Sequence, residues 1–270
     1  MLYYSHHTIR WFPLKGLYRL INVEFGMWLK FLAILCASAI VLPLFILNAV
    51  VKDYTFYTTH ARFENLYSSS GCSLLFLGLL VLLCLYFLKS VYAGYWGSKS
   101  VYTYLSLPVA RESLYFAKLI VFVTGCLLLL AAQLVSIRLG YSLVMSKAET
   151  YLDGRYVMNN GLFLAFARSE FLRVLLPMTF GRMLSSLGML LVIVTGVYYG
   201  ALCERSRTYV GFVPIAFAGW LLYRTLAYRL NEPIHFNSPT NLYPSSILFF
   251  VLSAWFVWHG VRLMKRGTIA

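Results

Sequence analysis

From residue 31 onward the chain alternates long apolar runs with short polar ones, and the runs approach the length a helix needs to cross a bilayer. A hydrocarbon core takes about 20 helical residues. Six runs meet or near that length and predict spans at about 31–51, 72–92, 115–137, 183–203, 208–226 and 244–262. The first is free of charge and carries Pro43, a predicted kink. The fifth and sixth are the shortest, and the fifth carries Pro214. Ahead of the first span, Leu14, Leu17, Tyr18, Ile21, Phe25 and Trp28 recur at helical spacing, while Lys15, Arg19 and Asn22 fall opposite them. Pro13 suits a first helical position. An aromatic face with a basic back predicts an amphipathic helix over 13–30 lying in the membrane interface. The competing reading is a helix packed on other protein.

Composition narrows the class. Sixty per cent of the 270 residues are hydrophobic and 12% are charged, against about a quarter charged in soluble domains. The chain therefore reads as an all-α multi-pass membrane protein: one transmembrane domain over 1–270, with six transmembrane helices. No cleavable signal peptide is predicted, because the first apolar run is a full span. The five cysteines, Cys36, Cys72, Cys84, Cys126 and Cys203, lie in or beside apolar runs without metal or redox spacing. They read as small buried hydrophobes.

The net charge of +14 could suggest a nucleic-acid partner. The basic residues instead flank apolar runs, which points to topology and to no nucleic acid. With the N-terminus inside, thirteen of the 23 Lys and Arg residues fall on the inner side, concentrated in short loops. The positive-inside rule then places both termini in the cytoplasm. The outer loops are unequal. The segment 146–182 is long and contains an apolar stretch interrupted by Arg168, Glu170 and Arg173. Charges at mid-bilayer are costly, so that stretch predicts a helix lying on the outer surface rather than a span.

Catalytic and metal motifs are missing. There is no Walker A pattern and no H-E-x-x-H, and His6, His7, His60, His235 and His259 pair with no carboxylate at a ligand spacing. Ser185 and Ser186 fall at the opposite end of the membrane from His259, which disfavours an intramembrane serine protease. His259 reads instead as an inner interface anchor with Trp255 and Trp258. The spans carry few ionisable groups away from their ends, which weakens a proton-coupled carrier. Energy for any transport would come from elsewhere.

One inner segment stands out, "VYTYLSLPVARESLYFAKLI", Val101 to Ile120. Pro108 sets up the first turn of a helix, Glu112 falls early in it where an acid favours the dipole, and Lys118 marks the membrane boundary. The picture is a cytoplasmic elbow over 97–113, with a short helix, a break and re-entry. So small a loop buries Tyr102, Tyr104, Leu105 and Leu107 poorly, and exposed aromatics suggest a docking surface. The alternative is a loop folded back on its own helices.

This segment resembles the one after the second span in ABC transporter permeases of the type-2 exporter class. Ser106-Leu107-Pro108, Arg111 and Lys118-Leu119 stand where that family has an aliphatic-Leu-Pro triplet, a basic residue and "KL" entering the third span. The resemblance implies a permease subunit of an ATP-driven exporter, in the bacterial cytoplasmic membrane. It implies partners: cytoplasmic ABC ATPase subunits that bind ATP and Mg, and a second permease, the same chain or a homologous one. This chain would hold no cofactor and hydrolyse nothing. The elbow would be a coupling helix, with Lys99, Tyr102, Tyr104, Leu105 and Leu107 on the ATPase and Pro108 and Arg111 setting its geometry. Membrane lipids surround the chain, and the outer segment, long for the family, could hold an accessory subunit. The alternative is a non-transporting scaffold or sensor that recruits a cytoplasmic partner through the same elbow. A membrane-embedded enzyme is disfavoured by the missing catalytic constellation.

Overall fold

The computed structural model describes residues 14–52, 62–96, 111–151, 161–231 and 242–265. They form helices α1 (Leu14–Lys52), α2 (Phe63–Ser69), α3 (Cys72–Trp96), α4 (Arg111–Tyr151), α5 (Leu162–Arg168), α6 (Glu170–Leu175), α7 (Phe180–Arg205), α8 (Phe212–Asn231) and α9 (Leu242–Lys265), with a 3₁₀ turn at Tyr209–Gly211 before α8. No strand occurs among the described residues. Six of the helices, α1, α3, α4, α7, α8 and α9, are long and apolar enough to cross a membrane. The chain is a helical, multi-pass membrane protein. The end of the bundle where α1 starts is termed proximal and the opposite end distal.

Two helices run further than their apolar runs predict. α1 is one helix of 39 residues, so the stretch expected to lie in the interface and the first span are a single element. Nothing between Phe25 and Phe31 breaks a helix. Gly26 costs about 1 kcal/mol relative to Ala, and Met27, Leu29 and Lys30 are good helix formers. α4 has 41 residues and continues past Arg138, the expected end of the third span. Arg138 is exposed, so its charge ends the apolar run without ending the helix. At 1.5 Å per residue each helix is roughly 60 Å long, about twice the thickness of a hydrocarbon core.

α1 and α4 lie side by side and run the same way. Leu32 meets Gly125, and Leu47 meets Gly140. Further along, the Ser136 hydroxyl donates to the Ile40 carbonyl at 3.4 Å, and Lys147 Nζ donates to Asn48 Oδ1 at 2.7 Å. α7 and α9 form a second parallel pair. A Cβ on Gly188 would lie 3.0 Å from the Phe249 Cβ, so only a glycine lets these backbones approach so closely. Phe256 packs over Gly196 in the same seam. The seams within these two pairs are far more extensive than those between them.

α3 lies across the first pair. Tyr86 stacks on Phe31 at 3.7 Å and meets Trp28 edge-on at 5.1 Å, while Phe87 stacks on Phe122 at 4.1 Å. α8 is peripheral, with Val213, Phe217, Trp220 and Tyr223 exposed, as suits a face turned to lipid.

The distal end is closed by a cap of short helices. Phe63, Leu66 and Tyr67 of α2, Ala165 and Phe166 of α5 and Leu172 of α6 bury themselves against Leu47, Ile137 and Val144. The stretch expected to lie flat on the outer surface is thus two helices broken at Ser169 and packed into the bundle. Ser169 is extended, and its Oγ accepts from the Leu172 N–H, an N-cap that starts α6 anew. Phe171 then reaches Tyr67 and Phe76.

Candidate functional site

The proximal end carries the two legs of the elbow. Lys99, Tyr102, Tyr104, Leu105, Leu107 and Pro108 lie outside the described residues. Arg111 opens α4, and its side chain lies outside them too. α3 leads into the segment at Trp96, and α4 leaves it at Arg111. What the structure describes is how these legs are fastened.

Three acids do the fastening, each across two helices. Glu24 of α1 pairs with Lys118 of α4 at 2.9 Å. Glu112 of α4 pairs with Lys265 of α9 at 2.8 Å. Glu204 of α7 accepts a hydrogen bond from the Tyr92 hydroxyl of α3. Glu112 also stands in the first turn of α4, where its charge favours the helix dipole.

Burial separates these ties by strength. The Glu24 side chain is 2% exposed and that of Lys118 15%. Removing one partner of a buried pair strands the other charge and costs about 3–5 kcal/mol. Lys265 and Glu112 are 60% and 28% exposed, and such pairs are worth about 0–1 kcal/mol. Glu204 is likewise exposed. A firm tie therefore holds α1 to α4, a weak one holds α4 to α9, and a hydrogen bond that water can reach holds α3 to α7.

Between the legs and the α7–α9 pair stands an aromatic joint. Tyr115 is fully buried and stacks on Tyr198 at 4.7 Å. Gly260 leaves room for it, since a Cβ there would lie 3.2 Å from the Tyr115 hydroxyl. Phe87 meets Tyr198 edge-on at 5.2 Å. The Tyr115 hydroxyl is buried without a hydrogen-bond partner among the described residues, which leaves a polar group of this joint unsatisfied.

The expected face of the N-terminal helix divides. Trp28 is buried at the centre of the α1–α3–α4 contact, and Ile21 and Phe25 pack at its margin. Leu17 is half-buried and Tyr18 is exposed. Leu14 is helical, with its side chain outside the described residues. The face that packs is Leu20, Glu24, Trp28, Leu32 and Leu35, turned from the expected one by about one residue. Glu24 was missed because only apolar positions were counted. An acid four residues from both Leu20 and Trp28 lies on the same face as they do, and that was the available signal.

His259 stands at the proximal end of α9. Its Nδ1 lies 2.9 Å from the Tyr199 hydroxyl, and its ring stacks on Trp255 at 5.3 Å. Ser185 and Ser186 are at the other end of α7, roughly 20 Å away along the helix. At the distal end, Arg229 Nη1 donates to Ser186 Oγ at 2.8 Å. The buried amide of Gln133 donates to the Tyr67 hydroxyl, tying the cap to α4. Burial pushes the Tyr67 phenol well above its ordinary range, helped by nearby Cys72. No group of three or more His, Cys, Asp or Glu side chains fit to hold a metal occurs among the described residues.

Compared with protein-family models, with curated proteins and with solved structures, the chain matches none.

Proposed function

We propose that this chain is the permease subunit of an ATP-driven ABC exporter, pairing with a second permease and driven by separate cytoplasmic ATPase subunits. The observation that carries the reading is the Val101–Ile120 segment, taken with what flanks it. Both helices that bear the elbow are tied into the bundle by side chains rather than left to swing. A segment meant to receive force from a partner needs such anchorage.

On this reading the proximal end faces the cytoplasm of a bacterium and both termini lie there. Lys99, Tyr102, Tyr104, Leu105 and Leu107 seat in a groove of the ATPase, while Pro108 and Arg111 set the elbow. The start of α1 steadies the inner membrane interface. Cargo is an antimicrobial peptide, a drug or a lipid-like molecule, in keeping with largely aromatic and aliphatic spans. ATP and Mg are held by the ATPase.

The test is a pull-down of the tagged chain from native membranes in mild detergent, with mass spectrometry of its companions. A stoichiometric ATPase bearing Walker motifs is the expected result, lost on Leu105→Asp/Leu107→Asp while membrane insertion is kept. Capture of a kinase or regulator without any ATPase would replace the exporter by a scaffold or sensor.

A further inference from the structure

The ties at the proximal end differ in kind, and their arrangement assigns them different work. Both legs of the elbow belong to one body. α3 and α4 pack with α1 through Trp28, Phe31, Tyr86, Phe87 and Phe122, and the buried Glu24–Lys118 pair closes that body. α7 and α9 form a second body, closed by Gly188 on Phe249 and Gly196 on Phe256. Beside the aromatic contacts of Phe87 and Tyr115 with Tyr198, each leg sends one polar tie to the second body: α3 through Tyr92 to Glu204, and α4 through Glu112 to Lys265.

Each cross-tie has one exposed partner, Glu204 or Lys265, so water can take its place when the tie parts. The pair inside the first body is buried and costly to part. Between the bodies lies the joint of Tyr115, Tyr198 and Gly260, where the Tyr115 hydroxyl is buried without a hydrogen-bond partner among the described residues.

We infer that Tyr92–Glu204 and Glu112–Lys265 pass movement of the elbow to the α7–α9 body, while Glu24–Lys118 keeps α1 and α4 moving as one. Tyr92, Glu112, Glu204 and Lys265 are positioning residues. The inference rests on the exporter reading for the source of the movement, and the division into two bodies stands without it.

The experiment measures distances between spin labels on non-canonical residues in the full chain, held in lipid nanodiscs. The labels replace exposed side chains: Ile34 with Leu128 inside the first body, and Leu85 with Trp258 across the two. Tyr92→Phe with Glu112→Gln should broaden the Leu85–Trp258 distribution and leave Ile34–Leu128 unchanged. Glu24→Gln should broaden Ile34–Leu128. Should that variant not fold, the exchange Glu24→Lys with Lys118→Glu should restore both folding and the narrow distribution. An unchanged Leu85–Trp258 distribution, or equal broadening of both, overturns the inference.

A second arm adds the captured ATPase with ATP, Mg and vanadate. These should shift the Leu85–Trp258 distance in the parent complex and not in Tyr92→Phe/Glu112→Gln, whose ATPase capture stays stoichiometric. An equal shift in the variant also overturns the inference. If the parent chain captures no ATPase, the exporter reading fails, and the distances in the chain alone still decide the two-body division.

Discussion

At the scale of single residues, the least ordinary group is Glu24, an acid sealed between α1 and α4 beside a lysine. Its neighbour makes it sustainable, because an isolated carboxylate would not stay charged among apolar side chains. Lys118→Met should therefore lower stability by about 3 kcal/mol, near the lower bound for a broken buried pair given the partial exposure of Lys118. Thermal unfolding in detergent would check this. A change no larger than that of Lys265→Met would mean that water reaches Glu24 freely. Tyr67 yields a pH prediction. Burial holds its phenol neutral beyond the ordinary range, so its hydrogen bond with Gln133 is one between neutral groups. The folded-state pKa is raised, so the stabilisation is constant below the unfolded phenol value of about 10 and is lost above it. Tyr67→Phe should flatten the alkaline part of the melting-temperature profile and leave its slope at neutral pH unaltered.

At the scale of elements, breaks and continuations are harder to read from sequence than spans. The six spans are legible because each long apolar run is bracketed by charge or by turn-forming residues, and the bilayer fixes how long a run must be. Lys30 and Arg138 look like helix ends in the sequence, yet both are exposed on helices that continue. A charge ends hydrophobicity, whereas only caps and breakers end a helix. Ser169 is the converse case. The apolar stretch around it reads as one helix, but its side chain caps α6 and turns the chain inward. Ser169→Ala should cost about 1 kcal/mol, the usual value for a lost N-cap, and faster hydrogen exchange across Glu170–Leu175 would reveal it. Seams between helices are illegible for another reason. Gly188 looks like any glycine in an apolar run until Phe249 is seen against it. Gly188→Val should overpack that seam and destabilise by about 1–3 kcal/mol. A fully stable variant would show that α7 and α9 can separate without loss.

At the scale of the whole molecule, sidedness connects fold to function. The described bundle has one end rich in inter-helix acid ties and another closed by a cap of short helices. On the exporter reading the first lies in the cytoplasm, as the Lys and Arg distribution leads one to expect, because translocating basic flanks is disfavoured. On that reading the ties and the aromatic joint stand at the side where ATP is found. Reporter fusions after the C-terminus and within 152–160 should report cytoplasmic and external locations respectively. The reverse result would put the elbow outside, beyond any ATPase, and end the exporter reading whatever the rest of the bundle looks like. The expected result makes a stronger demand. Force entering at the elbow must then cross the bundle to reach the cap, and α4, paired along its length with α1, spans the distance. It carries Glu112 and Lys118 at one end and Gln133, which holds Tyr67 of the cap, further along. Gln133→Leu should therefore release the cap from α4 without touching the proximal ties. Hydrogen exchange should rise across Phe63–Ser69 while the Leu85–Trp258 distance stays as it was. If both ends change together, the bundle moves as one block and α4 is not a lever between them.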